Sequence, residues 1–322
     1  MSEAVDISVC VGDYNPEWKK LLKTLKSIVY QKGVRFEIII GDDGSKNDLF
    51  PKIEDFFRQV GFKNYKLVKS KENHGTVLNG MQMKKFVQGK YIKPISAGDL
   101  LYEDDSLKRV FEYSERNRAS VVFGDAVFYN DDNGFQVFKH FHNPRITGVY
   151  NNDCVSRMLK LHYFLLGDGI SGAALFARSD IYGKYLEMIA GKVKYAEDYM
   201  IRIMILDEVR IHYYKHPFIW YEFGTGISTV ASDFWKEKLR EDDEACEAVV
   251  KDRLINNLKN NKNTFDWKYL KLMNSHAKGK MKLIKGEFLY PELIFAWLRS
   301  KLFSEYTPTD VDKSFYDRVS KE

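Results

Sequence analysis

Cysteine is scarce: Cys10, Cys154 and Cys246 stand far apart in a chain of 322 residues. The number is odd, and the spacing matches neither a metal-ligand set nor a redox pair. That excludes a disulfide scaffold and a structural zinc, and it predicts reduced thiols in a cytoplasmic compartment. The first strand is not followed by a Gly-x-Gly-x-x-Gly run, which removes the fingerprint of a dinucleotide oxidoreductase. Long apolar runs are lacking too. The densest late one, Leu293 to Leu298, is far too short to cross a bilayer. The chain enters a strand almost at once, leaving no room for a charged-then-apolar leader. The histidines give no metal triad. His212 and His216 are four apart, a spacing that brings side chains together on a helix, but their run reads as a strand broken by Pro217. Internal repeats and low-complexity linkers are absent.

What is present is the composition of a soluble globular protein, 44% hydrophobic and 30% charged. The length suits one large domain or a domain plus an appendage. The net charge of +5 is unevenly placed: residues 251–285 hold ten Lys/Arg against two Asp/Glu. Such a segment could face an anionic membrane, nucleic acid or another anionic partner, and a solvated helical face gives the same pattern. No recognised nucleic-acid motif accompanies it, so no nucleic acid is expected.

The pattern of apolar residues alternates between strand and helix. Ile7 to Val11 and Phe36 to Ile40 read as buried parallel strands. Between them Asn15 is an expected N-cap, Pro16 suits the first helical position, and Leu21, Leu22, Leu25 and Ile28 make one stripe. Further helices are expected over 48–60 and 76–88, and from Asp104-Asp105 onward; strands are expected over 65–68 and 91–95. Pro94 argues for an exposed or irregular strand position. After residue 118, Ser120 to Tyr129 and Phe135 to Phe141 predict a hairpin around Asn133-Gly134. Ile170 to Phe176 and Val209 to Tyr214 are strand candidates, with a helix over about 196–206 between them. Three helical segments follow, over 232–258, 264–284 and 291–303. The expected division is a domain over 1–230 and a helical appendage over 231–322.

The polar strand ends carry the chemistry, since ligands of open α/β sheets bind at the carboxyl ends of strands. They are Gly12-Asp13-Tyr14-Asn15, Asp42-Asp43-Gly44-Ser45, Asn73-His74-Gly75, and Gly89-Lys90-Tyr91-Ile92 leading to Ser96-Ala97-Gly98-Asp99. Glu197-Asp198-Tyr199 comes last. In this order and spacing they resemble the family 2 glycosyltransferases. The resemblance covers residues 5 to about 230. It implies an α/β GT-A fold: a mostly parallel nucleotide-binding sheet flanked by helices, here with a helical C-terminal appendage.

The resemblance also implies roles. Tyr14 stacks on a nucleobase, and Asp43 accepts a base N–H; Asp42 is the turn carboxylate, or the two exchange roles. Asn73 and Gly75 complete the nucleotide set. Asp99 holds a divalent metal (Mn or Mg) against the leaving diphosphate. The family usually has an Asp-x-Asp or Asp-Asp cluster here, whereas this chain has Ser96 and Gly98 beside its one carboxylate. Asp198 is the general base of an inverting displacement and Glu197 orients it. Gly169, Ser171 and Gly172 line the acceptor side. The implied activity is a hexosyltransferase type: transfer from a nucleoside-diphosphate sugar, UDP favoured, to a saccharide or lipid-linked saccharide in surface polysaccharide synthesis. A non-catalytic nucleotide-sugar-binding subunit is the alternative. Basic and aromatic residues over 251–303 suit an anionic membrane surface, so the expected location is cytoplasmic, peripheral at the inner face of the membrane.

Overall fold

A computed structural model describes residues 4–138, 143–152, 160–161, 169–227, 229, 232–260, 264–275, 280–290, 294, 298–299, 302–303 and 310–321. Among them nine strands form one sheet. They are β1 (Ile7–Asp13), β2 (Phe36–Asp42), β3 (Tyr65–Lys69), β4 (Tyr91–Ser96), β5 (Leu100–Leu101), β6 (Val121–Asn130), β7 (Gln136–Phe138), β8 (Leu175–Arg178) and β9 (Ile211–Glu222). The order is β3-β2-β1-β4-β8-β6-β9-β5, with β7 beside β6. Strands β3, β2, β1 and β4 pair in parallel, whereas β8 is antiparallel to both its neighbours. The result is a parallel half joined to a mixed half, within the expected α/β GT-A-like architecture.

The reason for the buried isoleucine run is visible in how it divides. Ile38 and Ile40 join one core, and Ile39 joins the core on the opposite face. Each such side chain, fully buried, contributes about 1.5–3 kcal/mol. Helices α1 (Trp18–Val29), α2 (Phe50–Val60) and α4 (Ser106–Asn117) cover the first face through Leu21, Leu25, Ile53, Phe57, Leu107 and Val110. Helices α3 (Thr76–Lys84), α5 (Ser179–Ile189), α6 (Met200–Leu206) and α7 (Asp233–Asn260) cover the second. Cys246, Val250 and Leu254 of α7 are buried in that same core. Helices α8 (Thr264–Met273) and α9 (Lys280–Leu289) follow, and α10 (Ser314–Ser320) returns to pack on α1.

Several elements differ from expectation. Asn15 does not cap α1, which begins at Trp18 with Glu17 before it. Asn15 instead takes a left-handed φ of 49° and ties down the next strand end. Its N–H donates to Ser45 Oγ, and its Oδ1 accepts the Lys46 N–H. Pro94 lies in β4 opposite Cys10, in the middle of the sheet; pairing with β8 stops at Ile92, so its missing N–H falls beyond that ladder. Strand β9 is not broken at Pro217 but runs on to Glu222, with a register shift beside the Asp125–Pro217 pair that absorbs the proline. Residues Gly172–Ala174 form a 3-10 turn where strand was expected, and only Leu175–Arg178 pair. Helix α5 was not expected at all. The long segment over 264–284 is two helices, and the helix expected over 291–303 falls mostly outside the described residues. The hairpin around Asn133-Gly134 forms as expected, with Asn130 opposite Gln136. Cys10 and Cys246 are free and buried; Cys154 lies outside the described residues.

Candidate functional site

Strands β1 and β2 end side by side, with Asp13 in register with Asp42. Asp42 Oδ1 accepts the Ser45 N–H at 2.7 Å, which makes it the turn carboxylate. Asp43 faces the next loop: its carboxylate accepts the His74 N–H at 3.0 Å and the Gly75 N–H at 2.7 Å. Burial and the charges of Asp42 and Asp43 push the Asp13 carboxyl up to about 8. Tyr14 stands half exposed just beyond β1, its ring open to a stacking partner. Asn73 is half-buried in the loop that Asp43 holds. A cleft of about 300 Å³ opens alongside, lined by Lys69, Ser70, Lys71, Glu72, His74 and Gln82 with Val68.

Gly75 occupies the N-cap of α3 with φ 90°, and a Cβ there would lie 2.5 Å from the Lys194 carbonyl oxygen. That close approach joins the loop of residues 73–75 to the segment preceding Glu197-Asp198. The Lys194 carbonyl also accepts the Val77 N–H at 3.1 Å.

The turn after β4 holds Asp99, which is 6% exposed. Its Oδ1 accepts the Glu222 N–H at 3.1 Å from the end of β9. Burial raises its carboxyl to about 7, and the Glu222 charge adds to the rise while Lys93 opposes it. Gly98 has φ 102°, and a Cβ would lie 2.2 Å from Glu222 Oε2. The Glu222 carboxylate thus fills the place of a side chain at 98. Lys20 reaches Glu222 at 2.6 Å and Asp132 at 3.2 Å, and Lys23 pairs with Asp131. Asp131, Asp132 and Glu222 form an acidic cluster with carboxylate oxygens within 4.8 Å of one another.

Glu197–Tyr199 is a 3-10 turn running into α6. Asp198 Oδ2 accepts the Gly172 N–H at 3.3 Å. A Cβ on Gly172 would stand 3.0 Å from Asp198 Cβ and 3.2 Å from Glu197 Oε1, so the absent side chain leaves the pair its room. Desolvation raises both carboxyls, and the Asp198 charge raises Glu197 further; the Gly172 N–H and Arg202 hold Asp198 partly in check. Gly169 and Ser171 lie just ahead of this contact, with the Ser171 carbonyl accepting the Ala174 N–H.

The sequence profile of glycosyl transferase family 2 matches residues 8–182. The chain belongs to that family. Comparison with curated proteins gives no match. Among solved structures, S. aureus TarS 1-349 is similar over 92% of this chain and 76% of its own, with a TM-score of 0.55 and 16% identity. TarS 1-349 in complex with UDP gives 0.53 at 16% identity over 92% and 79%. The complex with UDP-GlcNAc gives 0.51 at 14% over 96% and 95%. At such identities the likeness shows the fold alone.

Relative to the expected site, the structure brings together Asp43 with Gly75, and Asp198 and Glu197 with Gly172. It adds groups that one-dimensional reading missed. Asp13 was visible as a carboxylate at a strand end, in register with Asp42. Glu222, Lys20 and Lys93 reach their places through tertiary contacts that no local pattern announces.

Proposed function

We propose that this glycosyltransferase moves a hexose with inversion, from a nucleoside-diphosphate sugar, UDP favoured, to a hydroxyl of a saccharide or lipid-linked saccharide in surface polysaccharide synthesis. The observation that carries the reading is the Glu197-Asp198 pair set against Gly172, desolvated and raised. A base becomes more effective as its pKa rises toward the working pH, and desolvation moves the Asp198 carboxyl in that direction. Asp198 accepts the acceptor proton as the hydroxyl attacks the anomeric carbon; Glu197 orients it, and Gly169, Ser171 and Gly172 border the acceptor. Tyr14, Asp42, Asp43, Asn73 and Gly75 hold the nucleotide, supported by the cleft at Lys69 and Lys71.

GT-A enzymes typically use a divalent metal. The residues here fit one: Asp99 and Glu222 flank the turn, and the Glu222 charge adds to the rise of the Asp99 carboxyl, a repulsion that a dication relieves. Asp99 with Glu222 would hold Mn or Mg, which supplies charge neutralisation to the departing diphosphate. Lys20 on Glu222 places a further positive charge beside it.

Residues 1–230 carry donor and base in this reading, and 231–322 form the helical segment that braces them. No helix among the described residues is long and apolar enough to cross a membrane. Met281, Ile284 and Phe288 line one exposed face of α9 within the lysine-rich stretch, which supports peripheral contact with an anionic inner-membrane surface. The alternative, a non-catalytic donor-binding subunit, is motivated by Ser96 and Gly98, but such a subunit has no need of a desolvated carboxylate pair.

A thermal-shift panel of UDP, GDP, dTDP and CMP, each with and without manganese, tests the donor pocket. We expect a shift with UDP that manganese enlarges. The absence of a shift with any nucleotide would sink the transferase reading.

A further inference from the structure

The buried carboxylate of Asp242, on the third turn of α7, has no role in the chemistry above, yet it accepts three consecutive backbone N–H groups. Lys194 N–H donates to Oδ1 at 2.8 Å, and Tyr195 and Ala196 N–H donate to Oδ2 at 2.7 and 2.9 Å. Asp242 is 4% exposed. The next residues along the chain are Glu197 and Asp198. On its other side the same loop presents the Lys194 carbonyl to Val77 N–H and to the bare Cα of Gly75. Gly75 is in turn held by Asp43. One continuous path therefore runs from the donor loop, through residues 194–196, to helix α7, with the base at its edge. A carboxylate that takes three N–H bonds is strongly oriented and costly to replace.

We propose that Asp242 is a positioning residue for the transfer reaction: through residues 194–196 it fixes the Asp198 carboxylate relative to the donor loop. Helix α7 is then a working part of the transfer site. The inference rests on the reading of Asp198 as base. Its charge also acts at a distance, since Asp242 adds to the rise of Glu197. The other groups around the pair are Tyr182 of α5, Arg202 of α6 with Tyr199 just before it, and Asp243 and Cys246 of α7.

The test compares full-length wild type with Asp242→Asn and Asp242→Glu. Release of UDP from UDP-GlcNAc, UDP-glucose and UDP-galactose is measured, with water or added saccharide as acceptor, beside calorimetric UDP binding. Asparagine keeps the shape but puts an N–H₂ where an acceptor is needed. We expect kcat to fall by about 10- to 100-fold, as small misplacements of a catalytic group do. KM and UDP affinity should stay within about twofold, and the acid limb of kcat should move to lower pH. In Asp242→Glu the charge is kept and the loop is displaced, so kcat should fall with the limb unmoved; this variant decides alone if the asparagine form does not fold. Loss of thermal stability with kcat and the pH profile unchanged would make Asp242 merely structural and overturn the proposal. A wild type that binds UDP and turns over, with both variants equally active, overturns this inference alone. A wild type without turnover overturns it together with the reading it rests on.

Discussion

Replacing Asp198 by Asn is the sharpest perturbation the site permits. The side chain is isosteric, and the Gly172 N–H that it accepts at 3.3 Å can be kept by the amide oxygen. Only the capacity to take a proton is lost. General-base catalysis contributes about 10²–10⁴-fold, which corresponds to about 3–5 kcal/mol of transition-state stabilisation. We therefore expect kcat to drop by that factor while UDP affinity stays within about twofold. The wild-type pH profile should carry the same signature. Asp198 works ionised, and desolvation raises its carboxyl, so kcat should decline as pH falls through a value above the ordinary carboxylate range of about 4. Stability has the opposite sense. A carboxyl whose folded pKa is raised binds its proton more tightly in the folded state. Stability is then highest below the unfolded pKa and falls as pH rises toward the folded one. Asp198→Asn removes that slope and should melt higher than wild type at neutral pH. UDP release and acceptor glycosylation measured across pH, with melting curves on the same samples, check both halves. Turnover within fivefold of wild type would refute Asp198 as the base.

Gly98→Ala forces a side chain onto φ 102° and into Glu222 Oε2, so a loss of about 1–3 kcal/mol is expected, read as a lower melting temperature with weaker nucleotide binding. Truncation after residue 230 withdraws Cys246, Val250 and Leu254 from the core they share with α5 and α6. The shortened chain should lose its near-ultraviolet circular dichroism, and a soluble, cooperatively melting fragment would contradict that packing. Co-sedimentation with phosphatidylglycerol vesicles at low salt should be strong for wild type and weak for Ile284→Ser/Phe288→Ser. Equal binding of both would rule out the α9 face.

The parallel half of the fold was legible because its signals are local. Isoleucine runs ending in carboxylates mark buried strands, and the stripe of Leu21, Leu25 and Ile28 marks the crossover helix. The hairpin was legible because Asn-Gly dictates its own turn. Elements whose identity depends on the far side of a contact were harder. Strand β9 passes Pro217 because the sheet shifts register there, a tertiary accommodation. Helix α5 carries Gly183 between Tyr182 and Tyr185, weak helix formers whose burial supplies what propensity does not. Gly183 is small because the Lys84 side chain crosses it. Asn15 followed the same rule: its side chain is used across 31 positions, on Lys46, and not on its own helix. In the site, Asp42, Asp43, Asp99 and Asp198 could be named from the motifs. Which oxygen each commits, and that Glu222 fills the gap at Gly98, required the folded chain.

Helix α10 gives the molecule a late seam. Tyr316 donates to Asp131, Arg318 reaches Asp104, and Lys26 on α1 donates to the carbonyl of Lys321 across 295 positions of sequence. Contacts of such long separation are entropically the slowest to close. Phe315, Tyr316 and Val319 also complete a small core with Tyr102, Tyr129 and Trp220, beneath the turn that carries Asp99. During synthesis the parallel half can assemble while that core still lacks its lid. The Asp99 turn would then be the last part of the site to set, waiting on residues more than two hundred positions downstream.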